Sequence, residues 1–394
     1  MTNCVRVCIC SRWFGVRSEV WMWRQVRLFS RVLPSVITWK YENRDEFPLG
    51  GVQLTLTGTA EEPNDGPGRW LCRLHNLATV NFYGSYGAER RRIASILRAN
   101  GVEVVLCHFG HLGLRILPAA QQAGVPVVVH FHGQDISSGL RNRWYRWSLK
   151  KKLSAFAAVV CVGSAQERRL IDLGMPAERI HVIPCGVPTA EFSPAVSNKH
   201  GPVTFVGVCR LVAWKGVHHT IGAFAKMVRQ LPEARLVIAG DGPELGNLQA
   251  LAKQNGISDR LVFLGSQPPA KIRQLLAESH VFVQHSLQHP NGWFEGFGVS
   301  IAEASAMGLP VVVSACGGII DQVVNEETGF VVPQQDENAM AAAMLKLASD
   351  PELRSRMGRA GRQRMIEQYD TSLQVWKLEE VLLNAALKQN SVVS

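Results

Sequence analysis

Two cations stand where an apolar segment of the chain ends. Arg210 and Lys215 follow Val203–Val208 and come just before Gly216. Arginine offers a planar pair of donors and lysine a compact charge, so together they can hold the negative charge that develops on a departing diphosphate. Two unrelated surface cations would produce the same pattern, so the pair gains meaning only together with other residues.

Two carboxylates, Glu295 and Glu303, lie in a segment that runs from a loop into a predicted helix. Helical spacing would separate them by roughly 12 Å along the axis, which is too far for the acid and base of a glycosidase. The spacing suits two groups that hold opposite ends of one extended ligand, while Gly296 and Gly298 let the backbone approach it closely. An acidic first helical turn explains Glu295 equally well, but it does not explain Glu303 in the apolar run Ile301–Leu309.

A turn of small residues follows the apolar run Val311–Val313. Its pair Gly317-Gly318 exposes backbone N–H groups before a predicted helix, and such groups form a cradle for anions. Alone, this pattern is a weak indication of a binding site.

Histidines stand at the ends of two apolar segments in the first half of the chain. His108 ends one segment, and His132 follows the other, with Asp135 three positions later. A histidine backed by a carboxylate can bond a sugar hydroxyl or move a proton. A lone histidine is more often structural, but two at neighbouring strand ends favour a functional role.

The elements that must position these residues follow a regular pattern. Short, continuously apolar segments alternate with helical stretches twice along the chain, which is typical of strands buried on both faces of a parallel sheet. The strands predicted in the first half are Val5–Cys10, Ser35–Trp39, Val52–Thr57, Val102–Cys107, Val125–His130, Ala158–Val162 and His181–Ile183. Those predicted in the second half are Val203–Val208, Arg235–Ala239, Leu261–Leu264, Val281–Gln284, Val311–Ser314 and Gly329–Val332. The pattern predicts an α/β fold with two Rossmann-like, doubly wound domains, in which ligands bind beyond the carboxyl ends of the strands.

The predicted domain boundary lies in a segment rich in proline and glycine. We expect an N-terminal domain at residues 1–187, a linker at 188–202 and a C-terminal domain at 203–369. The segment 370–394 is predicted to be a helix with no strand after it, and we expect it to cross back to the N-terminal domain.

Positive charge is concentrated in the first half of the chain. Residues 1–200 contain 25 Lys and Arg against 14 Asp and Glu, whereas residues 201–394 contain 17 against 18. A basic half suits an anionic partner such as a phosphorylated ligand or an acidic lipid surface, and a solvated basic surface without such a partner explains the charge equally well. Nucleic acid is not expected, because no helix-turn-helix, zinc-finger or RNP-like motif occurs. The segment Val20–Phe29 offers tryptophans and arginines to a bilayer surface, although its apolar side chains can equally pack on the sheet.

The sequence also carries information about the compartment. No apolar segment is long enough to span a membrane, and Arg6, Arg12 and Arg17 interrupt the apolar stretches that a signal peptide would need. Nine cysteines occur without a C-x-x-C pair, which favours reduced thiols over a zinc site. We therefore expect a cytoplasmic protein, with the inner face of the cytoplasmic membrane as a further, peripheral location.

Taken in order along the chain, these motifs resemble those of a known enzyme family. The chain resembles the retaining glycosyltransferases of family 4, in the branch that builds bacterial surface polysaccharides. The motifs that carry the resemblance are Arg210…Lys215-Gly216, Ala239-Gly240-Asp241-Gly242-Pro243, Glu295-Gly296-Phe297-Gly298…Glu303-Ala304 and Gly317-Gly318. More loosely, Cys107-His108-Phe109-Gly110, His130-Phe131-His132-Gly133 and the turn Ser18-Glu19 resemble the same branch. The resemblance implies the GT-B fold, in which two Rossmann-like domains face each other across a cleft.

The resemblance also implies roles for the donor side. Arg210 and Lys215 would hold the diphosphate of a nucleoside-diphosphate sugar, and Glu303 would bond its ribose hydroxyls. The segment Glu295-Gly296-Phe297-Gly298 would contact the transferred sugar, and the pair Gly317-Gly318 would add backbone donors near the phosphates or the sugar.

The roles implied for the reacting face and the acceptor come from both halves of the chain. His132 would stand at the reacting face of the sugar, so the residues expected to act in catalysis are His132, Glu295, Arg210 and Lys215. His108, Asp135 and Ser18 would belong to the acceptor side.

The implied reaction is transfer of a hexosyl-type group, with retention, to a hydroxyl of a glycan or a lipid-linked glycan in polysaccharide biosynthesis. The nucleotide sugar is a substrate and no cofactor is expected. No metal site is expected either, because no D-x-D pattern occurs and protein cations would offset the diphosphate charge. The alternatives are a nucleotide-sugar epimerase of the same fold and a non-catalytic nucleotide-sugar-binding subunit. A nicotinamide oxidoreductase is disfavoured, because Gly240…Gly246 misses the dinucleotide-binding spacing by one residue.

Overall fold

The computed structural model describes residues 4–57, 84–85, 87–194, 201–290 and 292–393. The chain forms two compact units: the N-terminal unit comprises Met1–Pro184 with Ser372–Ser394, and the C-terminal unit comprises Cys185–Thr371. The described start of the predicted linker, residues 188–194, thus counts with the C-terminal unit, and residues 195–200 of that linker lie outside the described residues.

The N-terminal unit is built on one sheet of seven parallel strands. In chain order the strands are β1 Val5–Phe14, β2 Val32–Tyr41, β3 Gln53–Leu56, β4 Val104–His108, β5 Val127–Phe131, β6 Ala158–Cys161 and β7 Ile180–Val182. Their order in the sheet is β3-β2-β1-β4-β5-β6-β7. The chain therefore leaves β1 toward one edge and later resumes at β4 toward the other, which makes the gap between these two strands the switch point where ligands bind in such sheets.

Helices cover this sheet because its central strands are apolar on both faces. Strands β4 and β5 are buried at every residue. The helices, in chain order, are α1 Val20–Leu28, α2 Gly87–Ala99, α3 Gly110–Ala123, α4 Arg143–Lys152 and α5 Ser164–Asp172. Trp21, Met22 and Val26 of helix α1 are buried, so these three side chains pack within the unit and do not face a bilayer. Leu28 of the same helix is 41% exposed.

The C-terminal unit repeats the design with six parallel strands. The strands are β8 Thr204–Val208, β9 Arg235–Ala239, β10 Leu261–Phe263, β11 Val281–Gln284, β12 Val311–Ser314 and β13 Gly329–Val332. The sheet order is β10-β9-β8-β11-β12-β13, all parallel, which places the switch point between β8 and β11. The helices are α6 Val217–Met227, α7 Leu245–Gln254, α8 Pro269–Glu278, α9 Val299–Ala306, α10 Ile319–Gln322, α11 Glu337–Ser349 and α12 Pro351–Arg364.

The last helix, α13 (Thr371–Val393), is tied to the N-terminal unit by a buried carboxylate. Glu379 accepts hydrogen bonds from the backbone N–H groups of Ser30 at 2.7 Å and Arg31 at 2.6 Å. Charge-assisted bonds of this kind are stronger than bonds between neutral groups, so they fix the helix beside the start of β2. In the part of the chain that the structure describes, no helix is both long and apolar enough to cross a bilayer.

Candidate functional site

The switch point of the C-terminal unit brings together a cation and a carboxylate from distant parts of the sequence. Lys215 ends the short helical turn Ala213–Lys215 after β8, and Glu295 lies in the loop after β11. The Lys215 Nζ forms an ion pair with Oε2 of Glu295, and their side chains are only 16% and 9% exposed. The pair is thus held in a largely dehydrated place, where its charges act more strongly than at the surface.

Two polar residues from the end of β11 complete this arrangement. Gln284 Nε2 lies 3.3 Å and Ser286 Oγ 3.4 Å from the same Oε2 of Glu295, and Gln284 Nε2 donates to Ser286 Oγ at 2.8 Å. Ser300 Oγ in turn donates to Gln284 Oε1 at 3.2 Å. Gln284 and Ser286 were not predicted from the sequence. Their position at the carboxyl end of an apolar strand was the signal that could have found them.

A glycine allows the turn that carries Lys215 to pass close to the neighbouring strand. Gly216 has φ +58°, and a Cβ there would lie 1.8 Å from the carbonyl oxygen of His285. No other residue fits without displacing this backbone. The glycine therefore fixes the direction from which Lys215 reaches Glu295.

The pair Gly317-Gly318 packs on the Glu295 loop. A Cβ at Gly317, where φ is +56°, would lie 2.1 Å from the carbonyl oxygen of Glu295, and a Cβ at Gly318 would lie 2.1 Å from that of Gly296. The N–H of Gly318 donates to the carbonyl of Glu295 at 2.8 Å. The expectation that both glycines offer free donors is therefore wrong for Gly318, because its N–H already holds the loop.

Glu295 and Glu303 do not lie on one helix. Helix α9 begins at Val299 after Gly298, so Glu295 belongs to the preceding loop and the separation of roughly 12 Å expected from helical rise does not apply. Glu303 lies on this helix and is buried, as is Phe297 before it. A glycine-rich loop with backbone contacts to Gly317-Gly318 replaces the helical turn that the spacing suggested.

Arg210 presents its charge differently from Lys215. Its side chain is exposed, and within the described ranges it has no ion-pair partner. Lys215 Nζ also lies 5.8 Å from the ring centroid of Trp293, which in turn lies 5.5 Å from the ring of Trp214. Lys215 thus lies beside two tryptophan rings, and Arg210 presents an exposed charge five positions earlier in the chain. A fixed and an exposed cation can together receive a phosphorylated ligand.

The thiols beside this site do not supply a nucleophile. Burial raises the pKa of Cys209 to about 11 and that of Cys316 to about 11. A thiol attacks as the thiolate, which is scarce near neutral pH at such values. Neither thiol is therefore expected to act as a nucleophile at this site.

Three imidazoles cluster at the switch point of the N-terminal unit. His108 ends β4 beside His130 on β5, and His108 Nδ1 lies 3.1 Å from Nε2 of His132. His132 is half-buried and stacks on Trp21 with a centroid distance of 3.8 Å. One nitrogen from each histidine lies within 4.8 Å of the others, so the cluster can hold a metal ion.

Burial also decides the protonation of these histidines. It lowers the pKa of His108 and His132 well below the usual range and that of His130 to about 3, with the neighbouring imidazoles adding to the effect on His108 and His132. All three are therefore neutral near pH 7. His132 can accept or donate a hydrogen bond there, but it brings no positive charge.

Asp135 orders the backbone around this cluster. Its carboxylate accepts from the N–H groups of Gly110 at 2.9 Å, Gly133 at 3.1 Å and His132 at 3.2 Å. Among the described residues it accepts no hydrogen bond from an imidazole, so the expected support of the His132 ring by this carboxylate is wrong. Asp135 instead joins the start of helix α3 to the end of β5.

A cavity of about 410 Å³ lies at the same switch point, within the size range of small-molecule sites. Its lining comes from the end of β1 (Arg12 and Trp13), from the residues after β4 (Phe109 and His111) and from the segment that leads into helix α4, which includes Asn142. Asp135 also lines it. His108, which is fully buried, and Ser18, which is exposed in the turn after β1, do not line it.

Backbone strain occurs beside this cavity. Phe109 has φ +74°, a region that L-residues other than glycine rarely adopt. Its N–H donates to the carbonyl of His130 at 2.8 Å, which holds it in place. Strain of this kind costs about 1–3 kcal/mol and is commonly kept where a site needs a particular geometry.

Comparison with known proteins identifies the family of the chain. The family model for glycosyl transferases group 1 matches residues 189–364, and that for glycosyltransferase family 4 matches residues 51–191. WcaL of Escherichia coli K12, whose name assigns it to colanic acid biosynthesis as a glycosyltransferase, is 30% identical over 280 residues, which cover 67% of this chain and 68% of WcaL. The chain belongs to the group 1 glycosyltransferases.

Further relatives support this glycosyltransferase assignment. The amylovoran biosynthesis glycosyltransferase AmsK of Erwinia amylovora is 29% identical over 277 residues, 67% of each chain. The crystal structure of HepE from Anabaena in complex with UDP matches with a TM-score of 0.79 at 18% identity, over 96% of this chain and all of that one. The predicted GT-B fold class, an α/β fold with two Rossmann-like parallel sheets, is confirmed.

The match to the group 1 model covers the donor-side residues of this glycosyltransferase, from Arg210 to Gly318. The match to the family 4 model covers His108, His132 and Asp135, and Ser18 lies outside both. Neither match assigns a role to a single side chain. The roles expected for these residues therefore remain predictions.

Proposed function

We propose that this glycosyltransferase moves a hexosyl group, with retention, from a nucleoside-diphosphate sugar to a hydroxyl of a glycan or lipid-linked glycan in polysaccharide biosynthesis. The observation that carries the proposal is the largely buried Lys215–Glu295 ion pair at the switch point of the C-terminal unit. A lysine held there in a dry place by a carboxylate offers its remaining donors to a diphosphate.

In the proposed reaction, the bond from the anomeric carbon of the sugar to the diphosphate oxygen breaks while the acceptor oxygen bonds to that carbon from the same face. The acceptor proton leaves with the diphosphate. Lys215 and Arg210 carry the negative charge that develops on the leaving group, which removes the need for a metal ion in this role.

Glu295 has two tasks in this proposal. One carboxylate oxygen holds Lys215, Gln284 and Ser286. The other carboxylate oxygen would contact a sugar hydroxyl, and this contact would fix the position of the sugar relative to the diphosphate. Glu303 would bond the ribose hydroxyls, and the Gly317-Gly318 turn would shape the loop without using the Gly318 N–H as a phosphate donor.

We assign the acceptor to the cavity of the N-terminal unit. Trp13 is 45% exposed and offers an apolar face to a sugar ring, while Arg12 and Asn142 supply donors for its hydroxyl groups. The neutral His132 would stand at the reacting face of the sugar. The names of WcaL and AmsK, which include colanic acid and amylovoran biosynthesis, favour a polysaccharide as product.

A panel of nucleotide sugars tests the proposal. The unfolding temperature is measured with UDP-, GDP-, ADP- and dTDP-linked hexoses, because a ligand specific for the folded state stabilises it by mass action. The stabilising donor is then incubated, labelled in its sugar, with and without candidate glycan acceptors. We expect one nucleotide to stabilise the protein and labelled sugar to appear in an acceptor product with unchanged anomeric configuration. Conversion of the donor sugar without any acceptor would instead indicate an epimerase.

A further inference from the structure

Helix α4 carries a dense positive charge. Its ten residues, Arg143–Lys152, contain five cations and no acidic residue. The side chains of Arg143, Arg146, Lys150 and Lys151 are exposed. The N-terminal unit as a whole has 26 Lys and Arg against 15 Asp and Glu, so this helix is the concentrated part of a basic unit.

Tryptophans accompany these cations. The side chain of Trp144 is 47% exposed, its ring lies 6.4 Å from that of the half-buried Trp147, and the Arg143 guanidinium lies 5.6 Å from the Trp144 ring. Exposed tryptophan among lysine and arginine is the composition of helices that lie in the headgroup region of a membrane.

The other side of helix α4 belongs to the acceptor cavity. Tyr145, Ser148 and Leu149 are buried, and Asn142 caps the helix by accepting from the N–H groups of Trp144 and Tyr145. Asn142 and Tyr145 both line the cavity of about 410 Å³. One short helix thus carries a basic aromatic surface and part of a substrate-sized cavity.

We infer that helix α4 docks the N-terminal unit on a bilayer rich in anionic lipids, where the cavity receives an acceptor sugar whose lipid stays in the membrane. The cations attract the negative surface, and Trp144 enters the headgroup region. The docking surface is defined by Arg143, Trp144, Arg146, Lys150 and Lys151. The part of the inference that concerns the acceptor rests on the proposed function, whereas the docking itself does not.

This surface replaces the segment Val20–Phe29 that the sequence suggested. Trp21 and Val26 of that segment are buried and cannot reach a lipid. Helix α4 was not predicted from the sequence, because cations and aromatic residues make up most of it. The structure exposes its cations together with Trp144. An acidic protein surface would also attract these charges, and the experiment below separates the two partners.

Co-sedimentation with vesicles tests the docking. Wild-type protein is mixed with vesicles of phosphatidylcholine alone or of phosphatidylcholine with phosphatidylglycerol. The variant Arg146→Gln/Lys150→Gln/Lys151→Gln removes three surface cations. The control variant Lys253→Gln/Lys271→Gln/Arg356→Gln removes three exposed cations of the C-terminal unit and has the same net charge. Circular dichroism and the unfolding temperature establish that both variants fold.

We expect the wild type and the control to bind anionic vesicles and to leave neutral vesicles unbound. The helix α4 variant should bind anionic vesicles on the order of 100-fold more weakly, and the addition of salt should release the wild type because the charges are screened. Trp144→Ala should weaken binding without changing its dependence on salt.

Two results would overturn the inference: equal binding of the helix α4 variant and the control, or wild-type binding that does not depend on anionic lipid. If the triple variant fails to fold, the single variant Lys150→Gln, compared with Lys253→Gln, decides the matter instead, and equal binding of these two variants overturns the inference. Stabilisation by a nucleotide sugar is measured on the same samples. If vesicles bind but no nucleotide sugar stabilises the protein, the docking stands and the proposed function fails. The reverse result leaves the function standing without the docking.

Discussion

Replacing Lys215 with alanine tests how the C-terminal switch point works. The change removes the ion-pair partner of Glu295 and leaves its Oε2 with Gln284 at 3.3 Å and Ser286 at 3.4 Å. Removing one member of a fully buried pair costs about 3–5 kcal/mol. The Lys215 side chain is 16% exposed, so water can partly replace it and we expect a loss of about 2–3 kcal/mol in the free energy of unfolding.

The effect on catalysis should be larger than the effect on donor binding. Lys215 would meet the negative charge that develops on the diphosphate only as the sugar bond breaks, and removal of one such group typically lowers kcat by about 100- to 1000-fold. The affinity for the intact donor should change by less than about fivefold, because an interaction made mainly in the transition state is lost mainly from kcat.

The assay combines kinetics with a double-mutant cycle. The free energy of unfolding, kcat and the donor Kd are measured for Lys215→Ala, Glu295→Gln and the double variant. The double variant should recover most of the lost stability, because no unpaired carboxylate remains, but it should recover no activity. Lys226→Ala is the matched control, since Lys226 pairs with Glu337 in the same unit at 43% exposure and such surface pairs contribute about 0–1 kcal/mol. An unchanged kcat in Lys215→Ala would refute the role given to this lysine.

Three further predictions follow from single contacts. In urea unfolding, Gly317→Ala should destabilise the protein by about 1–3 kcal/mol more than Gly256→Ala. Both glycines have positive φ, but a Cβ at 317 would meet the carbonyl of Glu295, whereas a Cβ at 256 would meet nothing within 4 Å. Equal losses of stability would show that the loop contact is unimportant. Burial lowers the pKa of His285 to about 4, so the unfolded state binds more protons than the folded state between about pH 6.5 and 4. Stability should therefore fall as the pH falls through that window. His285→Gln should reduce this loss of stability, and an unchanged pH profile would show that His285 does not cause it. Enzyme treated with EDTA should keep its turnover. Activity that is lost and then restored by Zn²⁺ would show instead that turnover needs a metal ion, for which His108, His130 and His132 are the candidate ligands.

Much of the fold could be predicted because its strands are continuously apolar. Strands β9, β11, β12 and β13 begin and end at the residues expected from the sequence, since burial on both faces leaves a plain run of apolar residues. Strand β1 was expected to end at Cys10 but continues to Phe14. Its last residues include the exposed Arg12 and Trp13, which carry no apolar pattern, and these are the residues that line the cavity.

The sequence predicted which charged residues belong to the candidate site, but it did not predict the contacts between them. Arg210, Lys215 and Glu295 could be named because charged residues at the ends of strands stand out. Other contacts depend on how loops from separate strands pack. Gln284 and Ser286 both contact Oε2 of Glu295, and the Gly318 N–H donates to the Glu295 carbonyl. Such contacts join residues that are distant in sequence, and no local pattern encodes them.

Helix α4 was not predicted from the sequence for a different reason. Its sequence, RWYRWSLKKK, is mostly basic and aromatic, and Leu149 is its one aliphatic residue. The helical spacing of Tyr145 and Leu149 is therefore hard to recognise among the charges. The side-chain cap from Asn142 and the burial of Tyr145 and Leu149 hold it in place. Cap and tertiary packing, rather than propensity, decide its conformation.

Amide hydrogen exchange with and without a nucleoside diphosphate tests the central claim most directly. The account predicts slower exchange in residues 209–216, which carry Arg210 and Lys215, and in residues 314–319 around the glycine pair, because a bound diphosphate would order the loops at the C-terminal switch point. Binding of the nucleotide without protection of either segment would contradict the account and place the donor elsewhere.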